Sequence, residues 1–251
     1  MTVLAIVAQK GGVAKTITTA SLSTELASLG QRVLVIDFDP QSNLTIALGY
    51  DPTSIQTSVY EAILNPHHGM GLATISTAHG VDLVPANFAL AGAEISLPPY
   101  GREQLLREAL RPVRDGYDFI FIDTPSNLGL LTASAMVAAD ALLVPIQAHP
   151  FSLFTMPYLE QTIDVIRPLN KGLQIGGIVV TMVDRRTNVS RDVEAEVRER
   201  YGDLVFATTI PDNTKLSEAP AAGQPISVYA PRSSGAAAYH SLAQEVLARY
   251  G

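Results

Sequence analysis

Short apolar runs alternate along this chain with longer segments in which apolar residues recur every three to four positions. Runs of four to eight apolar residues are typical of buried strands, and the longer period is typical of amphipathic helices. The runs predict strands near residues 3–8, 32–37, 81–85, 117–122, 141–146, 175–182 and 204–210. The periodic segments predict helices near residues 15–29, 101–111, 151–169, 190–201 and 233–249.

This alternation of strands and helices predicts the fold class. Strands that alternate with helices form parallel sheets with right-handed crossovers, and the helices then cover both faces. We therefore expect an α/β fold with a doubly wound, mainly parallel sheet, in a single domain that spans residues 1–251. Residues 51–80 contain prolines and several glycines, and we expect loops and short helices at the surface there.

The composition narrows the class of protein. Hydrophobic residues make up 47% of the 251 residues, which is typical of a folded domain. The chain has no cysteine, which excludes disulfides and thiolate-bound metal clusters. No apolar run approaches the roughly 20 residues of a membrane span, and the first predicted strand begins almost at the N-terminus. We expect a cytoplasmic protein without a signal peptide.

A glycine-containing loop follows the first predicted strand. Residues 9–16 read Gln-Lys-Gly-Gly-Val-Ala-Lys-Thr and lead into the first predicted helix. This order is that of a phosphate-binding loop, in which backbone N–H groups and the helix start surround the phosphates. Lys15 then reaches the terminal phosphates, and Thr16 ligates magnesium. Gln9 and Ala14 stand at the two glycine positions of the generic pattern, so position 14 must have a backbone angle that alanine tolerates.

Carboxylates stand at the ends of two further predicted strands. Asp37 and Asp39 end the second strand, and Asp123 ends the fourth. Because ligands of open parallel sheets sit beyond the carboxyl ends of the strands, we expect these aspartates to meet Lys15 and Thr16. Magnesium prefers such oxygen ligands and keeps several waters. Asp123 suits an outer position that holds a magnesium water or Thr16, and Asp39 suits magnesium or the attacking water.

Motifs along the whole chain carry a resemblance to a known family. They are Lys10-Gly11-Gly12-Val13-Ala14-Lys15-Thr16, Asp37-Phe38-Asp39-Pro40-Gln41-Ser42-Asn43, Ile122-Asp123-Thr124-Pro125, Leu128 to Thr132, Thr181 to Asn188, Leu216 to Pro220 and Pro231 to Ala236. With them the chain resembles the ParA-type ATPases of the deviant Walker group, the relatives of Soj and MinD. The resemblance implies a P-loop NTPase fold and an ATPase that is weak on its own, with ATP or ADP and Mg²⁺ as cofactors.

The resemblance also assigns roles to residues. In this family the first lysine of the loop crosses a dimer interface and touches the phosphates of the partner's nucleotide, so that ATP joins two subunits. The catalytic residues would be Lys10, Lys15 and Asp39, with Asp39 orienting or deprotonating the attacking water. The magnesium residues would be Thr16, Asp39 and Asp123. The nucleotide-binding residues would be Lys10, Gly11, Gly12, Val13, Ala14, Lys15, Thr16, Ile17, Asp123, Met182, Pro211 and Asn213.

Family members bind DNA without sequence preference through basic residues of the C-terminal half. The matching candidates here are Arg185, Arg186, Arg191, Lys215 and Arg232. The formal net charge of −7 argues mildly against DNA, although local patches matter more than the total. The family often has a basic residue where Asp212 stands, and an aspartate there weakens the attraction to phosphates. The resemblance implies a nucleoid-associated homodimer that works with a ParB-like protein or a cargo adaptor.

Related ATPases suggest several functions. The main interpretation is segregation of a plasmid or a chromosome origin. The alternatives are positioning of a protein organelle over the nucleoid, and a MinD-like regulator at the membrane, which needs a basic amphipathic C-terminal helix. Residues 239–251 contain one arginine and have core-like apolar spacing, so we expect a packed helix and no membrane binding. The two-lysine loop together with residues 37–41 disfavours a metabolic synthetase, and the lack of a terminal tyrosine cluster disfavours a tyrosine kinase.

Overall fold

One sheet organises the chain. The computed structural model describes residues 1–251, with the side chain of residue 94 outside the described part. The strands are β1 (Thr2–Ile6), β2 (Val33–Asp37), β3 (Ile75–Ser76), β4 (Asp82–Val84), β5 (Phe119–Asp123), β6 (Ala141–Gln147) and β7 (Ile175–Thr181). Their order is β3-β4-β2-β5-β1-β6-β7, and in the described chain the neighbours are parallel except for the antiparallel pair of β3 and β4. The prediction of a mainly parallel sheet is confirmed.

Helices fill the connections between the strands. They are α1 (Lys15–Ser28), α2 (Asn43–Ala47), α3 (Val59–Leu64), α4 (Gly69–Ala73), α5 (Ala93–Ser96), α6 (Leu105–Leu110), α7 (Leu130–Ala138), α8 (Met156–Ile166), α9 (Asn188–Tyr201), α10 (Thr214–Ala221), α11 (Ile226–Tyr229) and α12 (Ser234–Tyr250). Short 3-10 turns precede or follow several of them.

Side chains of β1 alternate between two hydrophobic clusters, one on each face of the sheet. Val3 and Ala5 belong to the cluster that includes residues of α7 and α8. Leu4 and Ile6 belong to the cluster that includes residues of α1 and α12. All four side chains are fully buried, and burying a side chain such as leucine stabilises the fold by about 1.5–3 kcal/mol. The predicted cover of helices on both faces is therefore confirmed.

The C-terminal helix is packed, as the sequence predicts. Tyr239, Leu242 and Val246 of α12 are fully buried in the cluster that also contains α1. The hydroxyl groups of Tyr239 and Thr18 share a buried hydrogen bond of 3.0 Å, which ties α12 to α1. Among the described residues, no helix combines the length and the apolar character needed to cross a membrane.

The register of the sheet brings three strand ends together. β5 lies between β1 and β2. At its last residue, Asp123 pairs with Ile6 of β1 on one side and with Asp37 of β2 on the other. Since the strands are parallel, the loops that follow them all leave from this edge. The loop at residues 7–14 and the aspartates therefore share one end of the sheet.

Residues 204–210 are not a strand, which corrects the sequence prediction. The N–H groups of Phe206 and Ile210 donate to carbonyls of β7, and one isolated bridge, between Val205 and Ile178, links this segment to the sheet. The N–H groups of Ala207 and Thr208 donate instead to the carboxylate of Glu245 on α12, at 2.7 and 2.8 Å. Because these donors point away from β7, no continuous ladder forms.

Residues 51–80 are more buried than the sequence predicts. The short helices α3 and α4 lie here as expected, but Val59 and Met70 are almost fully buried in the core. The antiparallel strand β3 also lies here, and its two residues are too few to show a periodic pattern. The helix predicted at 151–169 is shorter, because Pro150–Thr155 form a 3-10 turn before α8.

Candidate nucleotide-binding site

Two left-handed residues shape the loop between β1 and α1. Gly12 has a φ of 74° and Ala14 has a φ of 71°. Glycine adopts this region freely, whereas an L-residue such as alanine pays roughly 1–2 kcal/mol. The expected tolerance at position 14 thus comes at a cost in strain. The hydroxyl of Thr181 on β7 donates to the carbonyl of Val13 at 3.2 Å and so braces the strained turn.

A cavity of about 590 Å³ opens beside this loop. The predicted nucleotide-binding residues that line it are Gly11, Gly12, Ala14, Lys15, Thr16, Ile17 and Met182, and Asp39, predicted as a catalytic and magnesium residue, lines it as well. The predicted residues outside its described lining are Lys10, Val13, Asp123, Pro211 and Asn213. A cavity of this volume is large enough for a nucleotide-sized ligand. Most of the predicted site is therefore brought to one place.

Two of the predicted nucleotide-binding residues lie elsewhere. Pro211 lines a separate cavity together with Arg185. The side chain of Asn213 accepts a hydrogen bond of 2.9 Å from the N–H of Lys215, and so caps the start of α10. Met182, by contrast, follows β7 directly with a φ of 53° and lines the main cavity.

Asp123 is the buried centre of a hydroxyl cluster below the cavity. Its Oδ2 accepts a hydrogen bond of 2.7 Å from the hydroxyl of Thr16, and its Oδ1 accepts one of 3.2 Å from Thr19. Both threonines lie on α1, one turn apart. Thr16 also lines the cavity, whereas Asp123 is fully buried behind it. The arrangement places one hydroxyl between the carboxylate and the open space.

A second buried carboxylate lies next to Asp123. Asp37 Oδ2 accepts hydrogen bonds from the N–H and the hydroxyl of Thr45, at 2.8 and 2.7 Å. Burial raises the pKa of Asp37 to about 6 against the effect of these hydrogen bonds. Burial, and next the charge of Asp37, also raises the pKa of Asp123 above its usual value. Burial is the largest cause of both pKa shifts, and for Asp123 the neighbouring charge of Asp37 adds to it.

Lys15 supplies the opposite charge. Its side chain is buried, and burial lowers its pKa, while the negative charges of Asp123 and Asp39 act against that shift. An ammonium, a hydroxyl and carboxylates around one cavity form a donor set for an anion and a hard cation together. Among the described residues, no group of three histidine, cysteine or acidic side chains forms a metal site made by protein alone. This composition fits magnesium that shares its ligands with a phosphate.

Asp39 is held at the mouth of the cavity by its own loop. Its Oδ1 accepts a hydrogen bond of 3.0 Å from the N–H of Gln41, and its own N–H donates to Asp37 Oδ1 at 3.3 Å. The side chain is half-buried and lines the cavity. Asp39 is thus fixed by its backbone neighbours while it faces the space in which a ligand would lie.

The side chains of the two lysines of the loop lie in different cavities. Lys15 lines the cavity, but the ammonium of Lys10 donates to Oε1 of Gln147 at 2.9 Å, at the end of β6. Lys10 is half-buried in a narrow cleft on the other side of the loop. Within this subunit, Lys10 therefore does not share the cavity that Lys15 lines.

The predicted DNA-binding residues form no single unpaired cluster. Arg186 pairs with Asp184 at 2.9 Å, and Lys215 pairs with Glu218 at 2.7 Å. Arg185, Arg191 and Arg232 are exposed, and they form no ion pair with a described side chain. The side chain of Arg191 donates to Asn188 at 2.9 Å.

Several residues of the cavity were given no role by sequence reasoning. They are Gln41, Asn43, Ile46, Ser126, Ser217, Pro220 and Ala221. Gln41, Asn43, Ser217 and Pro220 lie inside the motifs that carry the family resemblance, and that was the available indication. Nothing in the local sequence indicates that α10 closes one side of a cavity whose floor begins about 200 residues earlier in the chain.

Known proteins are similar in sequence to this chain over nearly its full length. The family profile described as AAA domain (AAA_31) matches residues 1–175. The sporulation initiation inhibitor protein Soj of Bacillus subtilis is 42% identical over 248 residues, which cover 98% of each chain. The chromosome partitioning protein ParA of Caulobacter vibrioides is 42% identical over 251 residues, which cover 98% of this chain and 94% of the relative.

Solved structures of similar fold include one with a bound ATP analog and magnesium. Cobyrinic acid a,c-diamide synthase from Mycobacterium smegmatis, solved with an ATP analog and magnesium, has a TM-score of 0.87 at 37% identity and covers 98% of this chain and 94% of its own. The cell division ATPase MinD of Pyrococcus furiosus has a TM-score of 0.81 at 25% identity, with 98% of each chain covered. Apo McdA of Cyanothece has a TM-score of 0.84 at 25% identity, with 98% of this chain and 99% of its own covered.

Proposed function

The chain belongs to the family of Soj and ParA partition ATPases, and on that premise we propose an ATPase that dimerises with ATP and binds DNA non-specifically. In this proposal it segregates a plasmid or a chromosome origin, or positions a protein cargo, in the cytoplasm on the nucleoid. The observation that carries the proposal is the divergence of two lysines from one loop. Lys15 lines the cavity, while Lys10 reaches Gln147 outside it.

Binding of ATP or ADP with Mg²⁺ follows from the donor set. Lys15 and the N–H groups around Gly11 and Gly12 suit the phosphates, because the loop curves around the cavity and Lys15 is buried at its floor. The Thr16 hydroxyl and Asp39 suit magnesium, and buried Asp123 holds Thr16 in place. Bound magnesium supplies positive charge that stabilises the phosphoryl group during transfer.

Lys10 serves the partner subunit in this proposal. Its ammonium stands outside the cavity of its own subunit, so a second copy of the chain is the site at which it meets phosphates. ATP with its terminal phosphate would complete that contact, and ADP would leave it incomplete. Two lysines would then absorb charge on the transferred group, one from each subunit.

Asp39 acts on water in this proposal. Its carboxylate lines the cavity and is fixed by Gln41 N–H, so the other oxygen is available to orient or deprotonate an attacking water. Hydrolysis then removes the phosphate that joins the two subunits. The dimer separates, and a ParB-like partner or a cargo adaptor accelerates this step.

DNA binding rests on a few exposed arginines. Arg185, Arg191 and Arg232 are available, whereas Arg186 and Lys215 are each paired with a carboxylate. Pairing of two subunits doubles the number of available arginines on one complex. The contact with phosphates then becomes strong enough only in the ATP-bound dimer, and it weakens steeply with salt.

Positioning of a protein organelle, or a MinD-like role at a membrane, is the alternative. McdA and MinD have the same fold as this chain. Co-sedimentation with DNA and with anionic liposomes, in ATP and in ADP, separates these functions. Binding to DNA only with ATP supports the proposal, and binding to liposomes but not to DNA contradicts it.

A further inference from the structure

We propose that Gln147 holds Lys10 in a seat within its own subunit, and that ATP-dependent pairing must release Lys10 from this seat. The inference rests on the proposed function, in which Lys10 crosses to the partner's phosphates. It makes Gln147 a positioning residue that sets how readily two subunits pair. The seat comprises Lys10, Gln147 and the side chains around them in the narrow cleft between the loop and α8.

The contact itself joins two distant parts of the chain. Lys10 Nζ donates to Gln147 Oε1 at 2.9 Å, across 137 residues of sequence. Gln147 is the last residue of β6, and it pairs in register with Thr181 of β7. The hydroxyl of Thr181 in turn holds the loop at Val13. Gln147 is therefore anchored to the same strand that fixes the loop, and its position is set by the sheet.

The cleft offers further acceptors of the same kind. Gln9 Oε1 and Ser152 Oγ are buried side-chain oxygens without a hydrogen-bond partner among the described residues. Both line the cleft that also contains Lys10 and Gln147. A lysine ammonium has three N–H donors, so acceptors beyond the one on Gln147 match its capacity. Only about 10 Å³ of free space remains, so the cleft is close-packed around the lysine.

The charge of the cleft determines whether Lys10 binds Gln147 or the phosphates of a partner's nucleotide more strongly. Its described lining contains no carboxylate, so the acceptors around the ammonium are neutral. A phosphate oxygen carries negative charge, so its hydrogen bond with the ammonium gains a Coulomb attraction that the neutral amide oxygen of Gln147 does not provide. The anionic phosphates of a partner's nucleotide therefore outcompete Gln147, whereas in the single subunit Lys10 stays in the seat. Neutral acceptors make the seat a reversible hold that competes with pairing.

Changes at Gln147 must then move pairing in opposite directions. Gln147→Ala removes the competing acceptor, and we expect the dimer to form at about three- to tenfold lower protein concentration. Gln147→Glu replaces the neutral acceptor by a carboxylate, and we expect pairing to weaken by about threefold or more. A purely structural role for Gln147 would weaken the dimer in both variants.

The experiment measures the dimer dissociation constant by sedimentation, with a non-hydrolysable ATP analog, for the parent, Gln147→Ala and Gln147→Glu. Gln174→Ala is the matched control, because this exposed glutamine directly precedes the first residue of β7, whereas Gln147 is the last residue of β6, so the two lie at opposite ends of these parallel strands. Binding of a fluorescent ATP analog and the melting temperature verify that each variant is folded. We expect Gln147→Ala to pair more tightly than the parent and Gln147→Glu to pair more weakly. The control is expected to pair like the parent.

Two further outcomes separate this inference from the proposed function. Lys10→Ala is measured alone and combined with Gln147→Ala, and the inference expects both to remain monomeric. A Lys10→Ala variant that pairs normally refutes the crossing role, and the seat with it. A monomeric Lys10→Ala variant, together with Gln147 variants that pair like the parent or both pair more weakly, overturns the seat alone.

Discussion

Thr16 and Thr19 offer a paired test of the site, because both donate to the same carboxylate. Thr16 bonds to Asp123 Oδ2 at 2.7 Å and lines the cavity. Thr19 bonds to Oδ1 at 3.2 Å and also to the carbonyl of Lys15 at 3.1 Å, and it is fully buried. Valine has nearly the shape of threonine, so each substitution removes a hydroxyl and leaves the packing almost unchanged. If Thr16 ligates magnesium as proposed, only Thr16→Val removes a magnesium ligand.

The expected magnitudes follow from these positions. Loss of either hydroxyl leaves a buried carboxylate oxygen with one donor fewer, which costs about 1–3 kcal/mol of folding free energy. For Thr19→Val we expect this loss together with a weakening of magnesium affinity by about tenfold, as for other residues that only orient a ligand. For Thr16→Val we expect magnesium affinity to weaken by about 100-fold or more, because the proposed ligand is removed. A 100-fold loss of affinity corresponds to about 2.7 kcal/mol.

The assay is ATP hydrolysis as a function of magnesium concentration, with urea unfolding in parallel. Thr16→Val is expected to need far more magnesium than Thr19→Val, although both lose similar stability. The same assay with manganese provides a check, since Thr16→Val is expected to need more of this second hard cation than Thr19→Val as well. Equal magnesium dependence in the two variants would refute the assignment of Thr16 as a magnesium ligand.

Three other predictions concern hydrolysis, pH and DNA. Asp39→Ala is expected to pair with ATP but to release phosphate at least tenfold more slowly; normal turnover in a phosphate-release assay removes Asp39 from the chemistry. Folding raises the pKa of Asp37 from 3.8 to about 6 and that of Asp123 from 3.8 to about 7, so the contribution of these two carboxyl groups to stability is full below pH 3.8 and is lost as the pH rises through 6 and 7. Without magnesium, the urea midpoint is therefore expected to be lower at pH 8 than at pH 5, and an equal or higher midpoint contradicts the burial of two carboxylates. Arg232→Glu is expected to lower the ATP-dependent affinity for DNA severalfold and to reduce its salt dependence, and unchanged filter binding excludes Arg232 from the DNA surface.

Local patterns in the sequence were sufficient for much of the fold and for the floor of the site. Lys15 and Thr16 could be placed because a strand, a glycine loop and a helix follow one another directly in the chain. Asp123 could be placed beside them because parallel strands end at one edge of a sheet. The hydrogen bond from Thr16 to Asp123 at 2.7 Å agrees with that placement.

Contacts between distant segments could not be predicted from the sequence. The predicted strand at 204–210 fails because two of its N–H groups donate to Glu245, which lies about 40 residues later. The contact between Lys10 and Gln147 spans 137 residues, and no local pattern in the sequence predicts it. Ala14 takes a left-handed angle that its residue type disfavours, since β7 braces the neighbouring carbonyl from a remote part of the chain.

In the proposed dimer, one loop serves two nucleotides, its own through Lys15 and the partner's through Lys10. The most direct test of this claim is the mass of Lys10→Ala in solution, measured by light scattering with a non-hydrolysable ATP analog, beside the parent and Lys171→Ala as an exposed lysine control. We expect Lys10→Ala to bind the analog and stay a monomer, while the parent and the control form dimers. A Lys10→Ala dimer that forms at the same concentration as the parent dimer would contradict it.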